Sequence, residues 1–247
     1  MTGSRPPSSR PDTVVLDLDG TLVDSVYVHL GCWRAAFRDV GVDVASYRLH
    51  RAIGMGGDKL VAEVTNESVE RSVGDDVRAR HAHHFDERFG EVVALEGAED
   101  LLAALRGAGL QVVLASSGER ALTDRLLDLV PGTSAIRSTL AGDEAEASKP
   151  APDLLAASLE RVGAKRAFAV GDTVWDAEAA RAAGAAFVGV LTGGITEAEL
   201  RDAGAVAVVA GPHELAARLD EVLSAVADAL PPAGPEGGAP GQPDGGR

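Results

Sequence analysis

Two aspartates, Asp17 and Asp19, stand two residues apart at the end of the apolar run Val14-Val15-Leu16, and Gly20-Thr21 follows them directly. Such a run reads as a buried strand, whose period of two sends both carboxylates to the same side. Like charges held that close are costly unless a cation or a bound proton offsets them, so the pair reads as a site rather than as surface. Gly20 permits a sharp turn there. A second acidic pair, Asp172 and Asp176, follows another apolar run with a spacing of four. At the edge of a sheet that spacing lets two carboxylates converge on a hard cation, although either one alone could cap the helix expected to begin near Val174. Ser116-Ser117-Gly118 follows a third run and opens a helix near Glu119; a small hydroxyl followed by main-chain amides at a helix N-terminus can hold an anionic oxygen.

These groups need a frame that brings three chain segments to one place. From about residue 96 onward, strand-like runs at 111–115, 135–139, 166–170, 185–190 and 205–209 alternate with helical patterns at 98–108, 119–129, 153–162, 176–183 and 213–230. Strand and helix taking turns implies a parallel sheet with helices on both faces, and such sheets place their ligands at the C-terminal edge of the strands. Residues 25–93 break that rhythm. They are helix-like throughout, with no convincing strand, and read as two antiparallel helix pairs joined around Gly41 and 54–57. An insertion directly after the first strand hangs over the catalytic edge and can act as a lid. The expected fold class is therefore α/β, a Rossmann-like doubly wound parallel sheet core (12–24 and 94–230) with an inserted all-helical cap domain (25–93). The Ser/Pro/Arg-rich residues 1–11 and the Gly/Pro-rich residues 231–247 cannot bury enough apolar surface to offset ordering entropy, and are expected to be disordered tails.

Composition bounds the function. The chain of 247 residues is 45% hydrophobic but only 4% aromatic, which implies a core of small aliphatics. A formal charge of −15 argues against nucleic-acid binding and against adhesion to anionic lipid. The single cysteine, Cys32, excludes an intramolecular disulfide and reads as a small buried hydrophobe. Arg5 and Arg10 are followed by no apolar stretch, so the N-terminus reads as neither a secretory signal nor a membrane anchor, and the cytoplasm is the expected location.

The segment Asp17-Leu18-Asp19-Gly20-Thr21 resembles the first motif of the haloacid dehalogenase-like superfamily, whose members mostly transfer phosphoryl groups through an aspartyl-phosphate. Three further segments resemble its other motifs in order: Ser116, Lys149 within Lys149-Pro150-Ala151-Pro152-Asp153, and Gly171-Asp172-Thr173 with Asp176. The resemblance implies Asp17 as nucleophile and Asp19 as general acid, then base. It implies Lys149 as the cation that balances nucleophile and phosphoryl charge, and Thr21 and Ser116, with Ser117 and Gly118, as the phosphoryl cradle. Mg²⁺ is the implied cofactor, since it prefers oxygen ligands and can bridge carboxylate and phosphoryl oxygens. Asp17, Asp172 and the main-chain carbonyl of Asp19 would hold it, with Asp176 helping from behind. The implied partner is a small phosphorylated metabolite, with no nucleic acid or membrane partner; oligomeric state is left open.

Asp19 argues against dehalogenase and phosphonatase branches, which lack that acid. A sugar-phosphate mutase resembling β-phosphoglucomutase is the main alternative, because His29 lies ten residues after Asp19 and such enzymes use a cap histidine there. The turn Gly54-Met55-Gly56-Gly57-Asp58-Lys59 lacks the arginine with which mutases hold a distal phosphate, which favours a phosphatase. A catalytically silent phosphate-binding module is a second alternative, disfavoured by the complete set of acids. His81, His83 and His84 read as part of a solvated helix. Trp33 and Trp175 read as packing residues, the latter placed beside the Asp172/Asp176 pair where it can border the pocket, and 54–57 is a candidate specificity loop.

Overall fold

The computed structural model describes residues 10–144 and 153–231. Most of both expected tails, together with Ser148, Lys149, Pro150 and Pro152, therefore lies outside the described residues. Pro11 is buried, and the Pro231 carbonyl accepts a hydrogen bond from Arg166, so those two positions belong to the folded part.

Eight strands and eleven α-helices are described. In chain order they are β1 (Thr13–Leu16), β2 (Val23–Asp24), α1 (Val26–Asp39), α2 (Ser46–Ala52), α3 (Gly57–Val64), α4 (Glu67–Arg88), β3 (Val93–Ala94), α5 (Ala98–Gly107), β4 (Gln111–Ala115) and α6 (Arg120–Leu127). There follow β5 (Ile136–Leu140), α7 (Asp153–Val162), β6 (Ala167–Gly171), α8 (Val174–Ala182), β7 (Ala186–Val190), α9 (Glu197–Asp202), β8 (Ala205–Val209), α10 (Pro212–Ala217) and α11 (Leu219–Ala229). Six strands form one parallel sheet in the order β5-β4-β1-β6-β7-β8. The order runs outward from β1 in one direction and then reverses, which puts a topological switch point at the C-terminal end of β1, where ligands bind in open α/β sheets.

The central strands β1, β6 and β7 are buried along their whole length, as a parallel sheet covered on both faces requires. Alternation divides each strand between two cores. Val14 and Leu16 of β1 join Val112, Leu114, Phe168 and Val188 on one face, and Val15 joins Val113, Ala169 and Phe187 on the other. The helical insertion has a core of its own, built from Trp33, Phe37, Leu49, Leu60, Val61 and Val77. Its base is shared with the sheet domain, because Val28, Cys32 and Phe85 belong to the cluster over β1.

Three elements differ from the sequence expectation, one being the six-residue helix α9, where no helical pattern is expected. A short antiparallel ribbon, Val23–Asp24 with Val93–Ala94, closes the base of the insertion; two-residue strands carry too few side chains for a period to register. The single helix expected over 213–230 is two, α10 and α11. Arg218 leaves helical dihedrals between them and its guanidinium binds Glu214 and Glu221 across the break. Apolar spacing runs on through that corner, so periodicity alone does not register it.

Candidate active site

The first carboxylate comes from the chain just beyond β1. The main-chain N–H of Asp17 donates to Val170 O at 3.0 Å, extending the β1–β6 ladder one residue past the strand. The chain then winds tightly, with the amides of Thr21, Leu22 and Val23 all donating to Leu18 O. Gly20 takes the turn at φ 74°, a conformation that side chains rarely adopt.

Asp172 follows β6, and Asp176 is the third residue of α8. Thr173 caps that helix reciprocally: its N–H and Oγ donate to Asp176 Oδ2 at 3.1 and 2.6 Å, while its Oγ accepts from the Asp176 amide. Asp176 thus serves as helix cap and as a member of the acid cluster at once. Asp17, Asp172 and Asp176 are only 9%, 2% and 6% exposed, and carry carboxylate oxygens that all lie within 4.8 Å of one another. Glycines shape the walls around them. A Cβ on Gly193 would stand 1.8 Å from Asp172 Oδ2, one on Gly20 2.4 Å from the same atom, and one on Gly171 2.4 Å from Asp176 Cγ.

Three buried acids at one point repel strongly. Their donor set is hard oxygen only, which suits a small divalent cation such as Mg²⁺, and the glycine walls leave the Asp172 carboxylate no room to retreat. The residues present therefore fit that ion. Thr21 Oγ1, fully buried beside the turn, has no hydrogen-bond partner among the described residues, which leaves its hydroxyl open to a bound group.

The Asp19 carboxylate stands outside the three-acid cluster and has other partners. Ser25 Oγ donates to Asp19 Oδ1 at 2.5 Å, and His29 Nε2 lies 3.2 Å from the same oxygen. Asp17 and Asp19 lie past the end of the strand, where the period-two argument no longer applies. His29, a candidate substrate-binding residue from the sequence, touches the site through Asp19.

Ser116 directly follows β4 and is buried; its amide donates to Leu140 O and its Oγ accepts from the Gly118 amide at 3.1 Å, leaving the hydroxyl proton for another acceptor. That bond occupies the Gly118 N–H. Ser117 turns to the insertion instead, donating to Gly54 O at 3.3 Å. Lys149 lies outside the described residues.

The turn between α2 and α3 is seated on the sheet domain by contacts that sequence reading missed. His50 Nε2 donates to Gly193 O at 2.9 Å, Trp175 Nε1 donates to Arg51 O at 3.0 Å, and Arg51 pairs with Glu199. Gly54, at φ 98°, lies against Thr173. Two of these contacts end on main-chain carbonyls, which carry no sequence signal. The Arg51 guanidinium pulls the Glu199 carboxyl down to about 2, so this pair stays ionised at any pH above that value and its contribution fades only between the unfolded carboxylate range and pH 2.

His81 also departs from expectation. Its ring is half-buried, stacked on Trp33 at a centroid distance of 4.0 Å and on His29 at 5.2 Å. His83 is exposed, as a solvated helix face requires, and His84 binds Asp39 at 2.8 Å.

A family model for haloacid dehalogenase-like hydrolases matches residues 11–184. A phosphoglycolate phosphatase of Cupriavidus necator is 34% identical over 183 residues, 71% of this chain and 79% of its own. One of Pseudomonas putida is 29% identical over 76% of this chain and 72% of its own. The crystal structure of a hydrolase from Pseudomonas syringae superposes with a TM-score of 0.80 at 32% identity, covering 85% of this chain and 98% of that one. The chain belongs to the haloacid dehalogenase-like hydrolases and is an enzyme of that class. Among the described residues, no helix is long and apolar enough to cross a membrane.

Proposed function

We propose that the protein is a Mg²⁺-dependent phosphatase that hydrolyses a small phosphorylated metabolite through a phosphoryl group carried on Asp17. The observation that supports this reading most directly is the convergence of three buried carboxylates from β1, β6 and α8 at the switch point of the sheet. Asp17, Asp172 and the Asp19 carbonyl would hold the ion, with Asp176 behind them. When bound, it offsets negative charge between nucleophile and phosphate, the main obstacle to phosphoryl transfer at a carboxylate.

An Asp17 carboxylate oxygen forms a bond to phosphorus as the bond to the ester oxygen breaks, and Asp19 gives that oxygen its proton. Asp19 then takes a proton from water as the water oxygen attacks phosphorus. The bond from phosphorus to Asp17 breaks, inorganic phosphate leaves, and both acids return to their starting states. Thr21 and Ser116 donate to the phosphoryl oxygens, and Lys149, by its place in the motif, balances charge. Residues 25–93 act as a cap that keeps bulk water out and sets specificity through the turn at 50–57. The names of the curated relatives make 2-phosphoglycolate the first substrate to test. The contact of His29 with Asp19 keeps a sugar-phosphate mutase as a second reading.

A panel of phosphorylated metabolites, followed for free phosphate and for isomerised sugar phosphate together, separates the two. Phosphate release that EDTA abolishes and Mg²⁺ restores is expected. Asp17→Asn is expected to lower kcat by at least about 10⁴-fold; near-normal turnover by that variant overturns the proposal.

A further inference from the structure

We propose that His81 is a positioning residue for proton transfer at Asp19: through its bond to Nδ1 of His29 it holds that ring in the orientation and tautomer whose Nε2–H points at the Asp19 carboxylate. The inference rests on the phosphatase reading, in which Asp19 moves the proton. Both ring nitrogens of His29 are engaged, Nε2 with Asp19 Oδ1 at 3.2 Å and Nδ1 with His81 Nε2 at 3.0 Å. A neutral imidazole has one N–H and one bare nitrogen, so the direction of one bond dictates the direction of the other. Asp19 Oδ1 already accepts from Ser25 Oγ at 2.5 Å. A second donor on that oxygen completes its acceptor role and directs the transferred proton to Oδ2. In the neutral ring with Nε2 as donor, Nδ1 accepts, and His81 Nε2–H is the group placed to donate.

The rest of the cluster is built to hold that direction. His81 sits on α4, while His29 and Trp33 sit on α1, so the bond joins the two longest helices of the cap. Trp33 stacks on His81 at 16° between ring planes, and Phe85 stacks on His29 at a centroid distance of 4.1 Å. The aromatic faces hold the plane of each imidazole, and the two hydrogen bonds choose between its two flipped orientations. Burial, and then the neighbouring His29 and His84, hold the His81 pKa well below the usual histidine range. It therefore stays neutral near pH 7, with one proton to place. A second imidazole behind the acid thus does the work that a carboxylate does in other catalytic chains, orienting a histidine without adding charge to a site already rich in it.

Two variants test this. His81→Phe keeps the stacked ring and removes the donor; His81→Gln removes the ring and keeps an N–H near the Nε2 position. Nitrogen-15 spectra of the labelled imidazoles report the tautomer of His29 directly, and steady-state kinetics on the best ester of the panel report its effect. In the wild type His29 is expected to be protonated at Nε2. In His81→Phe that tautomer loses its dominance and kcat falls about tenfold or more, while KM stays within about twofold and Gln recovers most of the loss. An unchanged His29 tautomer, or wild-type kcat in His81→Phe, overturns the proposal. A wild type inactive on every ester sinks the phosphatase reading instead, and the spectra still decide whether His81 orients His29.

Discussion

The sheet rim and the helical cap meet at one site, but each is held in place by different forces. At the rim, three carboxylates are fixed by strand ends and by a helix cap, inside walls where three glycines leave no room for a methyl group. Such a site is preorganised, and charge that would be ruinous elsewhere is confined to one point where a cation can compensate it. The cap rests on its own aliphatic and aromatic core and touches the rim through a few hydrogen bonds and one exposed ion pair. Rim changes should accordingly strike metal binding and turnover, whereas cap changes away from the His29–His81 pair should strike substrate affinity and local stability.

The independence of the cap core is the most exposed part of that contrast. Phe37 is fully buried there and belongs to neither cluster of the sheet domain. Phe37→Ala is expected to destabilise the cap by about 3–5 kcal/mol, seen as faster amide exchange confined to α1–α4 while the sheet amides keep their protection. Uniform loss of protection across the sheet would show that the two regions fold as one unit.

At the rim, Gly193→Ala places a methyl group 1.8 Å from Asp172 Oδ2 and must displace a buried, short side chain. Calorimetric Mg²⁺ affinity is expected to weaken about 10–100-fold with the fold intact. An unaltered affinity would mean that Asp172 is not a ligand. The smallest effect is expected at the edge of the cap, where Arg51→Ala removes an exposed, solvent-screened ion pair. KM should rise less than about fivefold with kcat unchanged; a large fall in kcat would mean that the pair belongs to the chemistry and not to the seating of the cap.

Much of the rim could be read from the chain alone, because each of its groups sits directly after an apolar run and strand ends converge in a parallel sheet. The doubly wound core, the strands 111–115 and 205–209, and Asp17, Asp172 and Asp176 are local patterns of that kind. What only the tertiary structure decided depends on distant segments meeting. The Asp19–His29–His81 chain spans 62 residues of sequence, and His81 looked like a solvated helix position until α1 was laid against α4. The seating of 50–55 on Thr173, Trp175 and Gly193 rests largely on main-chain carbonyls, which every residue possesses and no side-chain pattern announces. Periodicity and charge spacing register what a segment must bury or balance within itself; which partner completes a hydrogen bond is settled only when the layers pack.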